Sequence, residues 1–115
     1  MSNPTENRPW GSFTDLYRNE YTRVKTLSVL PGQRLSLQSH QKRSETWIVI
    51  CGRATIQIDA EILQKEPGES VFIPCGAKHR LENHGSEMLE VIEVQTGEAF
   101  EESDITRFED DYQRV

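Results

Sequence analysis

Short β-rich runs closed off by Pro and Gly, with no helical apolar period between them, restrict this chain more than any other feature. Residues 24–30, 34–40, 47–50, 54–58, 70–73 and 89–95 read as strands, mixing β-branched, aliphatic and aromatic side chains with polar ones. Between them stand Pro31 with Gly32, Cys51 with Gly52, Pro67 with Gly68, and the triplet Pro74, Cys75, Gly76. Pro presets φ and Gly accepts the positive φ of tight turns, so these positions mark where strands stop. No central stretch holds a helical apolar period for three turns, which argues against an α/β architecture. The expected fold class is therefore all-β, a small sandwich or barrel. The acidic segment 101–112 alone is open to a short helix.

With 115 residues the chain holds one domain. Residues 1–7, polar and carrying Pro4, read as a mobile tail, and residues 8–115 as the domain itself. A formal charge of −6 makes a nucleic-acid backbone a poor partner, because phosphate chains are bound by clustered Lys and Arg. A small molecule is the better expectation. No apolar run approaches the ~18 residues of a membrane span, and no signal peptide is evident, so a cytoplasmic chain without membrane contact is expected. Cys51 and Cys75 form neither a C-x-x-C pair nor a zinc-ligand spacing, and read as buried thiols.

Strand alternation sorts side chains by face. Ser36, Gln38 and His40 share one side of their run, with Leu35 and Leu37 on the other. Taken alone, such a polar face serves equally well as solvent-facing surface or cavity lining. Two spaced blocks decide in favour of the cavity. The first runs Gly32, five residues, Gln38, one residue, His40, four residues, Glu45, six residues, Gly52. The second runs Gly68, five residues, Pro74, one residue, Gly76, two residues, His79, three residues, Asn83.

These blocks resemble the paired motifs of the cupin superfamily, which implies a small jelly-roll barrel holding one metal ion on its inner face. By that resemblance the ligands are Gln38, His40, Glu45 and His79, with Gln38 standing where a His is usual. Gln38 and His40, two apart on a strand, face the same side, and the turn at Pro74 and Gly76 aims His79 back toward them. Two imidazoles, a carboxylate and an amide oxygen suit a divalent zinc, manganese, iron, cobalt or nickel ion without choosing among them. His84, the remaining histidine, reads as a turn residue.

More closely, residues 8–115 resemble the C-terminal cupin domain of type II mannose-6-phosphate isomerases, which often follows a mannose-1-phosphate guanylyltransferase domain. The resemblance rests on residues 8–13 (RPWGSF), 31–38 (PGQRLSLQ), Arg43 with Glu45 and Trp47, residues 70–83, residues 91–95 (VIEVQ) and residues 104–110 (DITRFED). The sequence departs from the family's pattern at Gln41, Lys42 and Thr46, where histidines are usual, and at Gln113.

That resemblance implies a metal-dependent isomerase interconverting mannose 6-phosphate and fructose 6-phosphate in the supply of GDP-mannose. Proton transfer between C1 and C2 needs a carrier, for which Glu93 and Lys25 qualify as ionisable groups among apolar neighbours. The phosphate needs cations at the barrel mouth, first Arg43 for its planar guanidinium, then Arg107 if the C-terminal segment folds over the mouth. The alternative is a non-catalytic sugar-phosphate-binding cupin serving as partner of a separate guanylyltransferase; another cupin reaction, such as epimerisation or dioxygenation, is a third. Alternation also predicts that Leu35, Leu37, Ile48 and Ile50 point outward together. Such a face favours a homodimer.

Overall fold

Strands β3 (Thr22–Val29), β5 (Arg43–Cys51) and β10 (Leu89–Gly97) alternate buried and half-exposed residues along most of their length. One face of each therefore looks into the protein. In the computed structural model, which describes residues 4–101 and 103–113, these strands form the middle of a six-stranded sheet. Strands β1 (Thr5–Arg8), β2 (Gly11–Arg18) and β8 (Ser70–Ile73) complete it in the order β1-β2-β3-β10-β5-β8. A second sheet carries β11 (Thr106–Glu109), β4 (Leu37–Ser39), β9 (His79–Glu82), β6 (Ala54–Ile58) and β7 (Glu61–Lys65) in that order. Neighbouring strands in both sheets pair antiparallel, giving the expected all-β jelly roll.

The register of the three central strands divides the interior in two. Leu27, Val91 and Val49 lie side by side, and with Phe13, Val29, Leu89, Ile56 and Leu81 they make a closed apolar core. The next inward row is Lys25, Glu93 and Trp47, and the one after it Arg23, Gln95 and Glu45. All of these are buried. Charged groups are tolerated inside only where they find partners or a polar cavity, so their concentration at one end marks the polar end of the barrel. Gly97 closes this end. It lies opposite Arg43 with φ at +154°, and a Cβ there would collide with the Lys42 carbonyl oxygen, so only glycine lets β5 begin this close to β10.

Strands β6 and β8 keep the bounds that the turn residues set, 54–58 and 70–73. The run 34–40 is not one strand. Only Leu37–Ser39 joins the ladder, Arg34 makes an isolated bridge to Glu82, and alternation breaks where Ser36 and Leu37 are buried in succession. Residues 5–7, assigned to a polar tail, pair instead with β2, Glu6 opposite Phe13; residues 1–3 lie outside the described residues, as does Arg114. The segment open to a helix supplies β11, and among the described residues no helix is long and apolar enough to cross a membrane. Both cysteines are free and exposed rather than buried.

The anticipated outer face of four aliphatics does not form. Leu35 packs against the core, and Leu37 is buried in the second sheet, while Ile48 and Ile50 belong to the first. Alternation does not carry through residues 34–40, because that run does not stay a regular strand.

Candidate metal centre

Glu45 enters from the six-stranded sheet on β5, His79 from the start of β9, and His40 from the turn that follows β4. The Pro74–Gly76 turn fixes their approach, because Gly76 N–H donates to the His40 carbonyl at 2.8 Å. His40 Nε2 lies 3.3 Å from Glu45 Oε2, and His79 Nε2 lies 3.6 Å from Glu45 Oε1. Bonds of about 2.1 Å in tetrahedral geometry place neighbouring donor atoms about 3.4 Å apart, so these separations suit one cation. The three ligand atoms all lie within 4.8 Å of one another and the residues are buried.

Both rings are already oriented for such a role. His40 Nδ1 is 2.7 Å from the Asp104 carbonyl, and His79 Nδ1 is 3.0 Å from that of Ala77. A carbonyl only accepts, so each Nδ1 carries the proton and each Nε2 presents its lone pair to Glu45. Burial, reinforced by the Arg43 charge, lowers the His40 pKa to about 4; burial also lowers that of His79. Neutral imidazole is the ligating form. Gln38, opposite His79 in register, donates its amide N–H to Ser36 Oγ at 3.0 Å, which leaves its carbonyl oxygen as the end available to a cation. The residues present fit a divalent ion.

A second carboxylate stands beside the first. Trp47 Nε1 reaches Glu45 Oε1 at 3.1 Å and Glu93 Oε2 at 3.0 Å, so one indole N–H ties the two together. Gln95 Nε2 donates to the other Glu93 oxygen at 2.7 Å. Desolvation, then the nearby charge of Glu45, raises the Glu93 pKa to about 7. Lys25, facing Glu93 across the β10–β3 pair, is buried with its Nζ 4.2 Å from the Phe13 ring centroid.

The two arginines expected at a phosphate are placed differently. Arg43 is buried, with Nε 3.4 Å from Glu45 Oε2, Nη2 3.4 Å from His40 Nε2, and Nη1 donating to the Glu101 carbonyl at 3.3 Å. It is turned inward among the ligands. Arg107 sits on β11 opposite Gln38, half-buried at the rim of the cavity that Gln38, His40, Glu45, Glu93 and Gln95 line. Three contributors carried no role in the sequence reading: Trp47, Gln95 and Asp104. The Asp104 carboxylate accepts from the backbone N–H groups of Gln41 and Lys42, both at 3.0 Å, while its carbonyl holds His40. The parity of Gln95 with Glu93, and of Trp47 with Glu45, was the available signal.

Residues 2–110 match the family described as Mannose-6-phosphate isomerase C-terminal. The chain is 44% identical over 108 residues to Mannose-1-phosphate guanylyltransferase ManC of Salmonella typhimurium, covering 94% of this chain and 22% of that protein. It is 45% identical over 107 residues to Alginate biosynthesis protein AlgA of Pseudomonas syringae pv. tomato, covering 93% of this chain and 22% of the relative. Among solved structures, an RmlC-like cupin from Shewanella frigidimarina superimposes with a TM-score of 0.78 at 19% identity, covering 88% of each chain, which establishes the cupin fold. The chain thus spans about a fifth of the curated relatives it matches. This corrects the expectation of a separate mannose-6-phosphate isomerase. Relatives from Salmonella typhimurium and Escherichia coli carry the guanylyltransferase name, and the matching region lies within their own chains rather than in a separate partner.

Proposed function

Because the chain belongs to the Mannose-6-phosphate isomerase C-terminal family, we propose that it is the cupin part of a mannose-phosphate enzyme, whose cavity performs metal-assisted acid–base chemistry on a phosphorylated mannose. The observation that carries this reading is the juxtaposition of two carboxylates of different character. Glu45 lies between two neutral imidazoles, and Glu93, tied to it through Trp47, titrates near neutrality. A carboxyl raised toward neutrality beside a set of cation ligands is how one site both holds charge and moves protons.

His40, Glu45 and His79, with the Gln38 carbonyl, would hold one divalent ion, which stabilises negative charge developing on a substrate oxygen. Glu93 is the proton carrier. A carboxyl with a pKa of about 7 is present in both protonation states near neutral pH, and Trp47 and Gln95 hold it in one orientation. Lys25, opposite Glu93 and over the Phe13 ring, places a positive charge on the same wall. The phosphate falls to Arg107 at the rim, aided by Arg8, rather than to Arg43, which is engaged with Glu45 and His40.

Titration calorimetry of the Zn²⁺- or Mn²⁺-loaded chain with mannose 6-phosphate and mannose 1-phosphate tests the reading, together with hydrogen exchange from D₂O into the bound sugar. Binding of one of them, with exchange lost in Glu93→Gln, is the expected result. Absence of binding to either sugar phosphate with any divalent ion would overturn it.

A further inference from the structure

Two buried side-chain atoms among the described residues have no hydrogen-bond partner in the protein, Gln95 Oε1 and Arg107 Nε. One is an acceptor and the other a donor, and their residues line the same cavity. Gln95 is only 1% exposed, so its carbonyl oxygen is not a surface group with bulk water at hand. Its orientation is set by the other end of the amide, whose Nε2 donates to Glu93 Oε1 at 2.7 Å when that carboxyl is ionised. An interior acceptor without a donor is unfavourable, and native folds keep such atoms where something else supplies the partner.

The placement narrows what that partner is. Gln95 occupies the inward row between Arg23 and Glu45, two residues along the strand from Glu93, so whatever meets its oxygen lies beside both carboxylates. A group there must donate a hydrogen bond and carry no negative charge. An alcohol meets both conditions, as does the water molecule that it would displace. The cavity, about 70 Å³, admits one end of a hexose phosphate, leaving the remainder at the rim where Arg8 and Arg107 are half-exposed.

Resting on the sugar-phosphate reading above, we propose that Gln95 is a substrate-contacting residue that selects for a sugar hydroxyl, its Oε1 accepting that hydroxyl's hydrogen bond while Arg107 takes the anionic end. A site that pairs a buried acceptor with a substrate OH discriminates strongly against the analogue that lacks it. Gln95 is thus distinct in role from Glu93: it reads the ligand and moves no proton.

The test measures binding of mannose 6-phosphate and its 2-, 3- and 4-deoxy analogues to the Zn²⁺-loaded chain and to Gln95→Met, with inorganic phosphate as the probe of the Arg107 end. In the native chain one deoxy analogue should bind about tenfold or more weakly than mannose 6-phosphate. Gln95→Met should bind mannose 6-phosphate no better than it binds that analogue, while its affinity for inorganic phosphate stays unchanged. Equal affinity of the native chain for all three deoxy analogues and the parent sugar overturns the proposal, as does a Gln95→Met chain that keeps the native preference; either leaves the sugar-phosphate reading standing. If the native chain binds inorganic phosphate but neither mannose 6-phosphate nor mannose 1-phosphate, that reading fails and this proposal with it. Should Gln95→Met not fold, the analogue series on the native chain decides alone.

Discussion

Arg43 stands against Glu45, its Nε 3.4 Å from Oε2 of the carboxylate, with both side chains buried. The two are i and i+2 on β5, so the alternation that turns Glu45 inward turns Arg43 inward with it. A buried cation beside the central carboxylate of this candidate metal centre neutralises it when no ion is bound and would repel an ion that arrives. Replacing Arg43 with Leu should therefore raise affinity for a divalent ion by about tenfold or more, since a unit charge a few ångströms away is weakly screened inside a protein. The metal-free variant should meanwhile lose about 3 kcal/mol, the cost of leaving a buried carboxylate without its partner. Metal titrations and melting curves with and without ion check both; a fall in metal affinity would show that Arg43 supports the centre instead of opposing it.

Removing either imidazole should be decisive for the ion. His40→Ala or His79→Ala is expected to abolish stoichiometric metal, and Gln38→Ala to cost less, a neutral amide being the weakest donor of the set. Acid should be slow to reproduce these losses. An ordinary histidine begins to compete with metal below 6.5, whereas His40 stays neutral until about pH 4. Elemental analysis after dialysis at stepped pH should find metal retained through pH 5.5; release centred near 6.5 would mean that the rings are not held neutral by burial.

Glu93 and His40 act on the stability of the metal-free protein in opposite directions. The Glu93 carboxyl, raised to about 7 from 4.5, keeps a proton in the folded state that the unfolded chain gives up, so its stabilising contribution is full below 4.5 and lost as pH rises toward 7. His40, lowered to about 4 from 6.5, refuses a proton that the unfolded chain accepts, so its contribution is full above 6.5 and lost as pH falls toward 4. Each spans about 3 kcal/mol, and between pH 4.5 and 6.5 they largely cancel. His79, also lowered, adds to the histidine side. Asp15, Asp104 and Asp111, lowered from 3.8, act below this window. Glu93→Gln removes one arm of the balance, so its stability should fall much more steeply than the native chain's on acidification from pH 6.5 to 4.5. Denaturant midpoints at four pH values give the comparison; parallel profiles would place the Glu93 titration outside this range.

Much of the centre was legible because it rests on one local rule. The resemblance names Gln38, His40, Glu45 and His79; ligand atoms of His40, Glu45 and His79 lie within 4.8 Å of one another, and Gln38, His40 and Glu45 line one cavity with Glu93 and Lys25. The same parity, carried one step further along each strand, also places Arg43 and Trp47 with Glu45 and Gln95 with Glu93, so Arg43 could have been read as inward from the sequence. Cross-strand register could not. That Lys25 faces Glu93 and Glu93 faces Trp47 depends on how three strands distant in sequence align. Strands β1, β2, β7, β9 and β11 were missed, and for β1, β7 and β11 the reason is related: they are short and mostly exposed, and their hydrogen-bonding partners, not their own propensities, make them strands. The role of Asp104 was equally hidden, since its bonds to residues 40–42 span about half the chain.

Assembly remains an expectation, on a different surface from the one that alternation first suggested. Across the outer side of the six-stranded sheet, Tyr17, Val24, Val94, Thr46 and Phe72 align in one row, and Thr14, Thr26, Ile92, Ile48 and Ser70 in the next. Neither row carries a charge, although the chain as a whole carries −6. Two such acidic chains repel except where their surfaces are neutral, and Phe72 and Tyr17 are each 56% exposed on this face. A flat, uncharged, β-branched face can meet a copy of itself about a two-fold axis without unpaired charges, which is the commonest closed symmetry. Light scattering should give twice the 13.3 kDa chain mass for the native protein. Ile48→Asp should return it to a single chain while leaving bound metal unchanged, because residue 48 points to the opposite side of β5 from Glu45 and Trp47. A mass of one chain at every concentration would mean that this face is simply solvated. A variant that loses metal and mass together would instead report a damaged fold.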